Sequence, residues 1–137
     1  MPTIKDPKSY TEAEMAAIYD EAVQAGIAAG STVEVTPMIV GQAKDLLSNE
    51  IDYTKKTYFV ESGVCGFAYV HVKPATSRFA RWLVKTEKAR KDSYMGGVYI
   101  NIWDYNQSLT RKEAHAQAMA RKLAEYGIDA WASSRMD

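Results

Sequence analysis

The chain has 137 residues, 17 basic against 17 acidic side chains, and one cysteine. That length can bury a real core in one domain without disulfides or metals, and 47% hydrophobic with 25% charged residues is the make-up of an ordinary globular protein. A lone Cys65 excludes an internal disulfide, no apolar run approaches the roughly 20 residues that span a bilayer, and "MPTIKDPKSY" lacks a secretory apolar stretch, so the expected location is a reducing cytoplasm with no membrane partner.

The first predicted element is a helix over about residues 11–29, "SYTEAEMAAIYDEAVQAGIAAGS". Thr11 and Glu14 have capping-box spacing, Met15, Ile18, Ala22 and Ala25 recur at helical intervals, and Gly30 reads as its stop. "STVEVTPMIV" reads as a strand with Val33 and Val35 on one face, ended or held at a sheet edge by Pro37. "GQAKDLLSNEIDYTKK" has no sustained period and reads as a loop with a short helical turn. "TYFVESGVCGFAYVHVKP" is strand-rich, broken near Ser62-Gly63 and stopped by Pro74.

Next comes a helix, "TSRFARWLVKTEKARK", with Phe79, Trp82 and Leu83 on one side. "DSYMGG" is a turn and "VYINIWDY" a strand; "NQSLTRKEAHAQAMARKLAEYG" is a helix ended by Gly127, and "IDAWASSRMD" a last strand. Helices alternating with strands imply crossover connections and at least partly parallel pairing. The expected architecture is an α/β or α+β fold in a single compact domain, residues 1–137, with a core over about 32–137. It would hold a mixed sheet of about four to five strands with helices packed on one or both faces.

Alternation along the strands sorts side chains by face. Ala68, Val70 and Val72 oppose Phe67, Tyr69, His71 and Lys73; Val98, Ile100 and Ile102 oppose Tyr99, Asn101, Trp103 and Tyr105; Trp131, Ser133 and Arg135 oppose Ala130, Ala132 and Ser134. The aliphatic side needs only a packing partner. Tyr69, His71, Tyr99, Asn101, Trp103, Trp131 and Arg135 make a candidate binding face, because rings beside basic groups can stack single-stranded bases. The alternative is that the N-terminal helix covers this face.

A second candidate is a basic patch of Arg78, Arg81, Lys85, Arg90 and Lys91, read as one helical surface. It suits phosphates or an acidic protein surface, or it is simply the solvated side of a docked helix. Charge is also uneven along the chain: residues 1–70 carry 5 basic and 10 acidic groups, the remainder 12 and 7. This fits either an anionic partner or two halves that neutralise each other.

Catalytic signals are absent from the pattern. His71 and His115 lie on different elements with no Cys or His at ligand spacing, so neither a metal nor a cofactor is expected. Cys65 and His71, six residues apart on a strand, would stand about 20 Å from each other, which leaves Cys65 as a small buried hydrophobe. Gly96-Gly97 precedes a strand and is no phosphate loop. Arg111 and Lys112 at a helix start echo the phosphate-contacting helix of double-stranded RNA-binding domains, although the order of elements differs.

"VCGFA", "NQS" followed by "RKEA", and the closing "SRMD" carry a resemblance to a family of small hypothetical proteins of tailed bacteriophages, over roughly residues 37–137. The family brings no catalytic residues to carry over. The resemblance implies an accessory protein in the cytoplasm of a bacterial host, binding a host or anti-phage defence macromolecule, in the first place a protein. A nucleic-acid-binding module and an enzyme acting on a small anionic ligand through His71 and Arg135 are the alternatives. Self-association through a strand edge or aromatic patch is compatible with all three.

Overall fold

The computed structural model describes residues 2–33, 38–41, 57–60, 66–103 and 108–136, with backbone only at 38–41 and 57–60. After a 3-10 turn at Pro7–Ser9 come α1 (Glu12–Thr32), β1 (Met38–Gly41), β2 (Thr57–Val60), β3 (Gly66–Val72), α2 (Arg78–Lys85), β4 (Arg90–Lys91), β5 (Val98–Asn101), α3 (Leu109–Glu125) and β6 (Ala130–Met136). β1 and β2 pair with each other, and the other four strands form one sheet in the order β4-β5-β3-β6. The fold is a compact mixture of helices and an antiparallel sheet.

Every ladder among the described residues is antiparallel, which corrects the expectation of partly parallel pairing. The crossovers themselves are real: β3 and β4 run the same way, as do β5 and β6. Each crossover, however, lets another strand in between. β5 separates β3 from β4, and β3 separates β5 from β6. From β3 onward this is the connectivity of the split β-α-β, or ferredoxin-like, arrangement. Sequence order gives strand direction and says nothing of such an insertion.

One face of the sheet is sealed by α2 and α3. Ala68, Val70, Val72, Val98 and Ile100 join Phe79, Leu83, Met119 and Leu123 in a continuous buried core. α1 does not cross the other face; its packing partners are α3 and, more lightly, α2. Its N-terminus carries the expected capping box, with Thr11 Oγ1 accepting from the Glu14 N–H. At the far end of α3, the Tyr126 hydroxyl donates to Glu21 at 2.6 Å. That hydrogen bond, together with burial, pushes the phenol up to about 12.

Two helix ends differ from expectation. Gly30 does not stop α1, which runs on to Thr32. Ala22, Gly26 and Gly30 instead form a small-residue stripe against α3: a Cβ on Gly26 would sit 2.6 Å from the His115 ring, and Arg111 donates to the Gly30 carbonyl. Residues 31 and 32 are helical, and among the described residues the expected strand is represented by β1; Val35 and Pro37 lie outside the described residues, as do 42–56, Cys65 and Tyr105. α2 in turn ends at Lys85, well short of Lys91. Lys88 N–H donates to the Leu83 carbonyl and Glu87 N–H to that of Val84, the Schellman pattern with a left-handed residue after the cap. That residue is Glu87, at φ 61°. A glutamate is a poor stop signal, which is why the sequence reads as one longer helix.

These two positions are testable by urea denaturation. Gly26→Ala should destabilise by about 1–3 kcal/mol, because the overpacking against His115 exceeds the gain in helix propensity. Glu87→Gly should stabilise by about 0.5–1 kcal/mol by relieving the left-handed backbone.

Candidate functional site

The open face is built on β3 with β5 and β6 on either side. Register places Tyr69 between Asn101 and Ser133, and His71 between Tyr99 and Trp131. Directly opposed residues share a face, so Tyr69, His71, Tyr99, Asn101, Trp131 and Arg135 come together on one side. Trp103 follows β5 in the same alternation and is 78% exposed. The rings are organised: Trp131 stacks on His71 at 5.1 Å and 11°, and Tyr69 meets Tyr99 edge-on at 5.8 Å.

Three cations rim these rings. Lys73 Nζ lies 5.2 Å from the Trp131 ring and the Arg135 guanidinium 5.1 Å from that of Phe67. Arg90 is the cross-strand partner of Tyr99 and so projects on the same side. The five-residue basic patch does not form one helical surface. Arg78, Arg81 and Lys85 stay on α2, where Arg78 bonds the Tyr10 carbonyl and Lys85 pairs with Glu12. Arg90 and Lys91 lie on β4, and alternation sends them to opposite faces. The echo of a phosphate-binding helix start also ends here: Lys112 is buried, its Nζ 3.3 Å from the Gly66 carbonyl oxygen, and Arg111 is engaged with α1.

One acid sits among the cations. Asp92 stands at the start of the β4–β5 turn, with Oδ1 accepting from the backbone N–H groups of Tyr94 and Met95 at 2.9 and 3.0 Å. Those bonds, Met95 first, hold its carboxyl below the usual range. The turn needs glycine, since Gly97 has φ 73° and a Cβ there would lie 2.6 Å from the Val72 carbonyl oxygen. By pattern alone "DSYMGG" is only a turn; an aspartate opening a two-glycine turn that leads into the central strands is the signal in the sequence for a site residue.

His71 is 5% exposed. Its Nε2 lies 2.6 Å from Ser133 Oγ, while its Nδ1 is 4.0 Å from Asp92 Oδ2 and has no hydrogen-bond partner among the described residues. Burial holds the imidazole below the ordinary 6.5, opposed by Asp92 and reinforced by Lys73. Tyr69, His71, Asp92, Tyr99, Asn101 and Arg135 line a shallow pocket of about 260 Å³. Among the described residues no group of three or more His, Cys, Asp or Glu side chains converges on a metal position, and no helix is long and apolar enough to cross a membrane. The arrangement can present ring faces, cations and a few hydrogen-bonding edges to a flat, anionic ligand. Comparison with protein families, with curated proteins and with solved structures finds no match to this chain.

A neutral, buried histidine gives stability a defined pH dependence. The unfolded chain takes up a proton near 6.5 that folded His71 resists, so stability is fully present above pH 6.5 and falls as the pH drops below it. His71→Gln should flatten that fall, removing a slope of at most about 1.4 kcal/mol per pH unit. Chemical denaturation of both proteins across this range measures the difference, and His115, common to both, cancels.

Proposed function

We propose that the chain is a non-enzymatic binding module that holds single-stranded nucleic acid on its open sheet face. One observation carries this: rings from β3, β5 and β6 share a face that α1 does not cover, and Lys73, Arg90 and Arg135 surround them. Bases stack on ring faces without regard to sequence, and the cations stand where the backbone of a strand crossing the sheet would pass. The split β-α-β connectivity puts α2 and α3 on one side of the sheet and, among the described residues, leaves this face uncovered, the arrangement of RNA-recognition sheets. Fold alone implies no function; the residues on the face support the reading.

In the setting suggested by the resemblance to phage proteins, the module would act in the cytoplasm of a bacterial host, on host or defence machinery. A second reading, docking to a host or defence protein, is favoured by the exposure of Tyr94 at 96%, Met95 at 53% and Trp103 at 78%. Exposed aromatic and methionine side chains of this kind are common at protein interfaces.

Fluorescence anisotropy with short single-stranded RNA and DNA tests the primary reading. Tyr99→Ala and Trp131→Ala should each weaken binding by about 1–3 kcal/mol, roughly 5- to 150-fold. Lys73→Ala, Arg90→Ala and Arg135→Ala should each reduce the slope of log affinity against log salt by about 0.7, whereas Arg81→Ala, on α2, should change nothing. Absence of salt-sensitive binding to either strand type by the folded protein would leave the protein-docking reading, tested by capture from nuclease-treated host lysate.

A further inference from the structure

β6 is an edge strand. It pairs with β3 along all seven of its residues and, among the described residues, with nothing on its outer side. An unpaired edge is a template for another strand, and proteins commonly blunt it with proline, a bulge or charge. "AWASSRM" contains no proline and keeps unbroken register with β3; its one charge, Arg135, points to the open face.

We propose that β6 pairs antiparallel with β6 of a second copy, about a two-fold axis through Ser133, to make one eight-stranded sheet. In such a pairing each contact occurs twice. The axis at Ser133 sets Trp131 opposite the partner's Arg135 on the open face, a cation beside a ring. On the helix side it sets Ala132 opposite the partner's Ser134. A register shifted by one residue would put the partner's helices over the aromatic face, since one step exchanges the two sides of a strand.

The helix above the edge is complementary under the same axis. Ser134 donates to Glu113 at 3.1 Å, which fixes Glu113 over that end of β6. Arg121 stands at the other end, beside Trp131 and Ala132, exposed and without an acidic partner among the described residues. Exchanging Ser134 for Ala132 by the two-fold therefore brings Glu113 over the partner's Arg121, and Arg121 over the partner's Glu113. The groove between α3 and β6, about 350 Å³, is walled by Ala120, Ala124, Ala130 and Ala132, so small side chains leave room for the partner's α3. Both open faces then lie on the same side of the joined sheet. The pairing depends on association alone and is independent of what that face binds.

Sedimentation velocity on the purified full chain should give twice the 15.3 kDa of one copy. Glu113→Arg and Arg121→Glu should each raise the dissociation constant about tenfold or more by setting like charges together, and the double variant should restore the native value. In a Cys65→Ala background, Ser133→Cys should form a disulfide between copies on mild oxidation, whereas Ser134→Cys, displaced from the axis, should not. A native chain that is monomeric at every concentration overturns the proposal, even with nucleic-acid binding intact. So does a dimer that is indifferent to both charge reversals and not linked through position 133. If a charge-reversed variant fails to fold, the cross-link alone decides.

Discussion

The alternation of side chains along β3 is the constraint from which the rest follows. β3 is flanked by β5 and by β6, with Val70 and Val72 buried under α2 and α3. A slip of one residue would drive Phe67, Tyr69 and His71 into the helix layer and expose the valines. Burial of those aliphatic groups, at about 25 cal/mol per Å² of apolar surface, therefore also fixes where the aromatic residues point. The site inherits its geometry from the core.

Two buried polar groups flank the same strand, and their costs are met differently. Lys112 reaches up from α3 with its Nζ at the Gly66 carbonyl oxygen and 5.6 Å from the Phe67 ring. A buried ammonium is tolerable when it is hydrogen-bonded and its stem packs on apolar surface. His71 instead gives up its charge: between Trp131 and the turn it is desolvated, and neutrality is cheaper there than solvating an imidazolium. The first device anchors the start of β3 and the second fills the centre of the open face.

Local pattern was readable in the sequence, and spatial order was not. Period-two alternation identified the faces of β3, β5 and β6, and Thr11, Glu14 and Gly127 marked helix ends by chemistry that acts within a few residues. Gly30 misled because one residue type serves two purposes, ending helices and letting them approach closely, and only the packing of α3 against this stripe, Arg111 on the Gly30 carbonyl and His115 on Gly26, distinguishes them. Glu87 misled for the opposite reason, occupying a backbone conformation usually left to glycine. That early end of α2 moves Arg90 from a helical patch to the rim of the aromatic face. Asp92 became part of the site only because the turn it opens folds against β3.

Ser133, His71 and Asp92 stand in the order of a nucleophile, a base and an orienting acid, but their distances are not those of a connected proton relay. The 4.0 Å between Nδ1 and Asp92 is beyond hydrogen-bond length, and the Asp92 Oδ1 atom is held by its own turn. The imidazole lies flat against Trp131, which fixes the ring while covering one of its faces. A base in a relay must move a proton between two partners held within reach. Here Ser133 is within reach of the imidazole and Asp92 is not, and the stacked ring is held at the centre of the open face. On the proposed reading such stiffness would favour stacking, because rings already locked by neighbours lose little freedom when a ligand settles on them.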